Sequence, residues 1–222
     1  MTFSITARCP ASGMFGIAIS SSSPAVAARC AHVRAGIGAV ASQNITDPRL
    51  GKRGLDLMAA GASAEAALAE LRTSPFIDFR QLALVDTAGR TATLSGAGVL
   101  GTHAVVEGSG AVCAGNLLAG PHVPQAMMAG FEATRADFPA RLLAALEAGL
   151  AAGGEAGPVH SAGLIVVRDV DWPIVDLRVD WSDTPIADLR VAWEIYAPQI
   201  EDYVWRAIEP TRAGKYGVPG ER

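Results

Sequence analysis

An alcohol stands at the second position of this chain, Thr2, and four more follow in the run Ser20-Ser21-Ser22-Ser23. Hydroxyls and backbone N–H groups in such a run can surround a carbonyl oxygen, which makes Ser21 and Ser22 candidates for a polar site. The other use of the same serines is to end a strand and cap a helix. Gln43 and Asn44 close an otherwise apolar stretch, where side-chain amides can hold a carboxamide or an oxyanion, or simply make a turn. Asn116 lies between Gly115 and Leu117. Glycine permits close backbone approach, so Asn116 is the oxyanion-hole candidate away from the N-terminus, and equally a residue suited to turns. Arg53 and Arg80 can grip a substrate carboxylate through paired N–H bonds, or form surface ion pairs.

Other chemistries are disfavoured. Cys9, Cys30 and Cys113 are odd in number and far apart, and His32, His103, His122 and His160 show no metal-ligand spacing. Neither a disulfide framework nor a metal site is expected, and no cofactor is called for. Gly108-Ser109-Gly110 lacks the Gly-Lys-Ser/Thr of a phosphate loop and stands between two strands. A net charge of −4 and a pI near 5.5 supply no basic field for nucleic acid or anionic lipid. No uncharged apolar run approaches the roughly 18 residues of a membrane span. The start of the chain does not read as a signal peptide, so the expectation is a cytoplasmic protein.

These residues need elements to position them. Phe3, Ile5 and Ala7 alternate with Thr2, Ser4 and Thr6, the pattern of a half-buried strand over 2–8 that pairs with 14–20 as a hairpin. Ser23-Pro24 predicts a short helix over 24–31, with Ser23 as its cap. A third strand spans 36–43. Asp47-Pro48 opens a helix to 60 with Gly61 as its stop, and Ser63 caps a helix over 64–72. Segments 80–86 and 90–95 form a second hairpin, and strands near 104–107 and 110–115 follow. Helices are predicted over 124–134 and 138–152, strands over 161–168 and 174–180, then helices from Pro185 to about 198 and near 200–208. Strands and helices therefore come in blocks, which favours packed layers of antiparallel sheet over a parallel βαβ fold. Half the residues are hydrophobic, enough for one large domain over 1–209, with 210–222 as a loosely ordered tail.

Four segments in order carry a family resemblance: Met-Thr-Phe-Ser-Ile at the start, Ala-Ile-Ser-Ser-Ser-Ser-Pro-Ala-Val at 18–26, Ala-Gly-Ile-Gly-Ala-Val-Ala-Ser-Gln-Asn at 35–44 and Gly-Asn-Leu-Leu-Ala-Gly at 115–120. Together they resemble the bacterial domain of unknown function 1028, from residue 2 to about 200. That family is grouped by fold with the N-terminal-nucleophile (Ntn) hydrolases. The resemblance implies an α+β fold, a four-layer αββα sandwich of two mainly antiparallel sheets. It implies no established reaction.

In that hydrolase class the first residue is nucleophile and base at once. A free α-amine, with a reference pKa of about 8, takes the proton of its own hydroxyl. Thr2 fits, because methionine before so small a residue is usually trimmed; a plain strand threonine is the other reading. The basic residue common at the end of the second strand in proteasome-like relatives is replaced here by Ser20–Ser23. The expected function is hydrolysis of a small amide, ureide or short peptide, with Thr2, Asn116 and Ser21 catalytic and Ser22, Gln43, Asn44, Arg53 and Arg80 binding substrate. The alternative is a catalytically inactive small-molecule-binding or scaffold protein that keeps the sandwich. A homodimer is expected on the analogy of that fold.

Overall fold

The alternation at the start of the chain becomes β1 (Thr2–Arg8), and a turn through Gly13, at φ +72°, returns it as β2 (Phe15–Ser21). A computed structural model describes residues 1–215 and Gly217. Downstream come α1 (Val26–Cys30), β3 (Ala31–Arg34), β4 (Gly38–Asn44), α2 (Pro48–Ala59) and α3 (Ala64–Leu71). They are followed by β5 (Arg80–Asp86), β6 (Thr91–Ser95), β7 (Ala104–Gly108) and β8 (Ala111–Asn116). The chain continues through α4 (Val123–Ala133), α5 (Phe138–Ala151), β9 (Ser161–Val167), β10 (Val175–Val179), α6 (Pro185–Tyr196) and α7 (Ile200–Ile208).

Local signals account for most of these limits. The Asp47 carboxylate accepts the Arg49 N–H at the start of α2, and the Ser63 hydroxyl accepts the Ala66 N–H at the start of α3. Two expectations need correction. Ser23 does not cap α1: the cap position is Ala25, in the left-handed region at φ 51°, with no side-chain bond. The chain after α1 also turns directly into β3, where the sequence predicts no strand before residue 36. Ala31–Arg34 has little strand character of its own. Pairing with β4, Ala31 opposite Ala41, makes it a strand.

The strands form two sheets, one of six in the order β10-β9-β2-β1-β8-β7 and one of four in the order β3-β4-β5-β6. Every pairing is antiparallel. Period-two alternation sends Phe3, Ile5 and Ala7 outward against α4, α5 and α6, among Met127, Leu142, Leu146 and Leu189. Leu82, Leu84 and Val40 face α2 and α3 on the opposite side. Between the sheets, Phe15, Ile17 and Ile19 meet Ala39, Ala41, Ala83 and Val85. Burying each of those isoleucines contributes about 1.5–3 kcal/mol. The result is an α+β sandwich in four layers, αββα, as the family resemblance implied. No helix among the described residues is long and apolar enough to cross a membrane. The tail expected from 210 lies partly outside the described residues; within them, Pro210–Arg212 forms a 3-10 turn.

Candidate active site

Thr2, Ser4 and Thr6 point into the space between the sheets, because their register partners Ser4↔Ile19 and Thr6↔Ile17 share that face. One end of this interlayer is therefore apolar and the other polar. At the polar end Thr2 stands opposite Asn116 across the β1–β8 pairing. From the facing sheet, Gln43 and Gln81 are register partners and face them.

The amides join the two sheets in a chain of bonds. Ser4 Oγ donates to Gln43 Oε1 at 2.8 Å, and Gln43 Nε2 donates to Gln81 Oε1 at 2.8 Å. Asn116 Nδ2 donates to the same Gln81 oxygen at 3.0 Å. Gln81 Nε2 in turn donates to Ser95 Oγ at 3.1 Å and to the Gly115 carbonyl at 3.0 Å. Asn116 Oδ1 is buried with no hydrogen-bond partner.

In front of this network lies the feature that defines the site. The hydroxyls of Thr2 and Ser21 both donate to one oxygen, the carbonyl of Met1. Thr2 is only 4% exposed, so the alcohol that meets the Met1 carbonyl is shielded from solvent. Ser21 is held in turn, because its Oγ accepts the Ser23 N–H at 3.0 Å and its carbonyl accepts the His160 N–H at 2.8 Å.

A carboxylate closes the rim. Gly153 and Gly154, at φ +110° and +58°, turn the chain after α5 into conformations that L side chains rarely adopt. The following strap is pinned by Ala119 N–H on the Gly154 carbonyl at 3.0 Å and Ala156 N–H on the Leu117 carbonyl at 2.9 Å. This brings Glu155, 3% exposed, back to the serine run, where its two oxygens accept the Ser22 N–H at 3.1 and 3.2 Å.

The sequence candidates thus separate. Thr2, Ser21, Ser22, Gln43 and Asn116 converge on one corner of the interlayer. Asn44 sits beside it at φ 74°, with its side chain committed to the Phe79 carbonyl and the Leu100 N–H. Arg80 donates to the Ile45 carbonyl at the same edge. Arg53 lies in the outer helical layer, bonded to Ser74 Oγ at 3.0 Å, and does not join the group.

Comparison with known proteins agrees with this architecture. Residues 2–189 match the family described as "Family of unknown function (DUF1028)". The chain belongs to that family. A crystal structure of a DUF1028 protein, SPO2555 from Silicibacter pomeroyi, is 29% identical, with a TM-score of 0.84, 90% of this chain and 94% of that one being covered. Two structures of Anbu, an ancestral beta-subunit, are more distant. The protein from Yersinia bercovieri is 10% identical at a TM-score of 0.40, covering 90% of this chain and 97% of that one. The (Gly-1) mutant from Hyphomicrobium sp. strain MC1 is 12% identical at 0.41, covering 98% and 100%. No curated protein matches the chain significantly.

Two residues of this DUF1028 site escaped the sequence reading. Gln81 had a usable signal: it ends the alternating set Gln81, Ala83, Val85 as Gln43 ends Ala39, Ala41, Gln43. Glu155 had none, for a single acid after a Gly-Gly stop reads as loop. Burial pushes its carboxyl up to about 7, against the Ser22 hydroxyl, the chain's amino terminus, the Ser22 N–H and His160, which favour the charged form. His160 stacks on Trp181 at 4.4 Å and lies 3.4 Å from Asp183. An unfolded glutamate titrates near 4.3. The folded state therefore binds the extra proton between these two values, and stability present at low pH declines as pH rises from about 4.5 through about 7. Glu155→Gln keeps an acceptor for Ser22 and is expected to flatten that decline in urea melts taken from pH 4 to 8. An unchanged slope would place the titration elsewhere.

Proposed function

We propose that this chain hydrolyses a small amide, ureide or short peptide, with Thr2 as the nucleophile once Met1 is gone. The observation that supports it is the convergence of the Thr2 and Ser21 hydroxyls on a single carbonyl oxygen. With Met1 gone, a substrate carbonyl approaching these two hydroxyls would meet a nucleophile and a hydrogen-bond donor together. Loss of Met1 frees the Thr2 amine, which takes the proton from Oγ1 as that oxygen attacks the carbonyl carbon. The C–N bond breaks, the proton passes to the leaving nitrogen, and an ester remains on Thr2. Water, deprotonated by the same amine, hydrolyses the ester and restores the hydroxyl.

The oxyanion falls to Ser21 in this reading, while Asn116 Nδ2 gives one of its two N–H groups to Gln81. Asn116 instead offers its unpartnered Oδ1 beside Thr2 as an acceptor for the amine. Gln43 and Gln81 hold Asn116 and β1 in place and need not touch substrate.

Intact mass of untagged protein, before and after treatment with a β-lactone, tests the proposal. The expected result is a chain beginning at Thr2 and a single acyl adduct that peptide mapping puts on that residue. A chain that hydrolyses amides while keeping Met1 would overturn it. One observation favours the second reading, a non-catalytic binding protein. A cavity of about 530 Å³ opens at the far end of β1, among Cys9, Phe138, Trp193 and Ile200, away from Thr2. Absence of both adduct and turnover from protein beginning at Thr2 would decide for that reading.

A further inference from the structure

The cavity of about 530 Å³ at the far end of β1 is walled by Met14, Phe138, Ile174, Trp193 and Ile200. Thr2 stands at the other end of that strand, roughly 20 Å away along it. Four charged side chains, Asp137, Arg141, Arg168 and Glu201, also line the cavity. Three of them are spent on one another or on the fold. Arg168 donates to Glu201 at 2.5 Å and to Asp169 at 2.7 Å. Asp137 accepts the Ala140 N–H at 3.0 Å as the cap of α5.

Arg141 differs. Its Nε donates to the Phe131 carbonyl at 3.2 Å, and its guanidinium carbon lies 4.1 Å from the centre of the Phe131 ring. These contacts fix the group while using one of its five N–H donors. Among the described residues Arg141 forms no ion pair, not even with Glu132, which shares a smaller cavity of about 210 Å³ with it. The Cys9 thiol, which lines the larger cavity, registers the positive charge. Burial raises it, but the Ser12 hydroxyl, the Ser12 and Ala11 N–H groups and Arg141 together hold it below the usual cysteine value.

We infer that this cavity binds a monocarboxylic acid with an apolar body, the body against Phe138 and Trp193 and the carboxylate on Arg141. A guanidinium offers paired N–H groups in the geometry of a carboxylate, and one already held by a carbonyl and a ring loses little freedom on binding it. The wall is apolar, so polar groups along the body of the ligand would give up water without a partner. A second negative charge would face Asp137 or Glu201, and a cation would find no unpaired acid. The volume is that of a small-molecule pocket. The inference is independent of the Thr2 reading, since it holds for a hydrolase and for a binding protein alike.

The test titrates 4-phenylbutyrate and 4-phenylbutanamide, alike in shape and different in charge, calorimetrically into the full chain at neutral pH. The acid is expected to bind about 10-fold more tightly than the amide. Arg141→Met, which keeps the apolar stem and loses the charge, is expected to bring the two ligands within about 2-fold. Arg141→Lys keeps the charge without the paired donors and should retain part of the preference. Alkylation of Cys9 by iodoacetamide, read by peptide mapping, locates the ligand without any substitution. Saturating acid is expected to slow it about 5-fold or more, because the thiol loses its access to the reagent. Cys30 and Cys113 are buried and serve as internal controls. Failure of the wild type to bind either ligand, or equal binding of both, overturns the inference. So does a preference that survives Arg141→Met, or bound acid that leaves Cys9 as reactive as before. Thr2→Ala is expected to leave all of these readings unchanged, so the fate of the nucleophile and the fate of this site are decided separately.

Discussion

Thr2→Ala is expected to lower hydrolysis of any amide the wild-type chain cleaves by about 10³-fold or more, since nucleophile and acyl acceptor vanish together. Thr2→Ser, which keeps both hydroxyl and amine, should retain most of the activity. The fold should tolerate the alanine. Thr2 Oγ1 donates only to the Met1 carbonyl, and its backbone pairing with Asn116 does not depend on the side chain. A loss of no more than about 1 kcal/mol is expected from the missing hydroxyl. The comparison is made on protein beginning at residue 2, with thermal melts run alongside the kinetics. A chain kept at Met1 should be as inert as the alanine variant, because its nitrogen is tied in a peptide bond and cannot take a proton. Activity that survives both changes would remove Thr2 from the chemistry.

Gln81→Leu is expected to cost about 3–5 kcal/mol of stability, the largest loss from a single residue near the site. Gln81 accepts from Gln43 and from Asn116 and donates to Ser95 and to the Gly115 carbonyl, all within the closed interlayer. Leucine has nearly the right volume and none of these bonds. Two buried amide N–H groups and a backbone carbonyl would be left unpaired, each at a cost of about 1–3 kcal/mol, partly recovered by rearrangement. Urea unfolding with an unchanged m-value reads this directly. The companion variant Gln43→Leu breaks the link to Ser4 and to Gln81 but leaves Asn116 anchored, so it should cost less. If Gln81→Leu were no worse than about 1 kcal/mol, the amide chain would not be the clamp between the sheets that its distances describe. Activity should fall in Gln81→Leu beyond what unfolding explains, because Asn116 loses the bond that holds it opposite Thr2.

The polar corner is thus a stability element and a positioning element at once. A hydrophobic filling would close the sandwich as well or better, as it does at the other end, where Phe15, Ile17 and Val85 meet. Buried amides bonded across the interlayer fix one arrangement of the facing strands, whereas apolar side chains tolerate several. The network runs through β1, β4, β5, β6 and β8, and β1 and β8 place Thr2 and Asn116 side by side.

Local sequence suffices for the blocks of strand and helix, the caps at Asp47 and Ser63, the two hairpins and the hydroxyls and amides at strand ends. These follow from alternation, proline and cap chemistry within a few residues of each other, and such short-range preferences act whatever the rest of the chain does. It also held Thr2, Ser21, Gln43 and Asn116 as candidates. It took the packing of the two sheets to bring these four together, to bond Asn44 to the Phe79 carbonyl and the Leu100 N–H and Arg80 to the Ile45 carbonyl, and to leave Arg53 outside. The tertiary structure alone made Ala31–Arg34 a strand, by giving it β4 to pair with. It alone brought Glu155 to Ser22, residues 133 apart in the chain. Contacts across such separations are set by which sheet packs on which and in what register, and a single sequence carries no local trace of that choice.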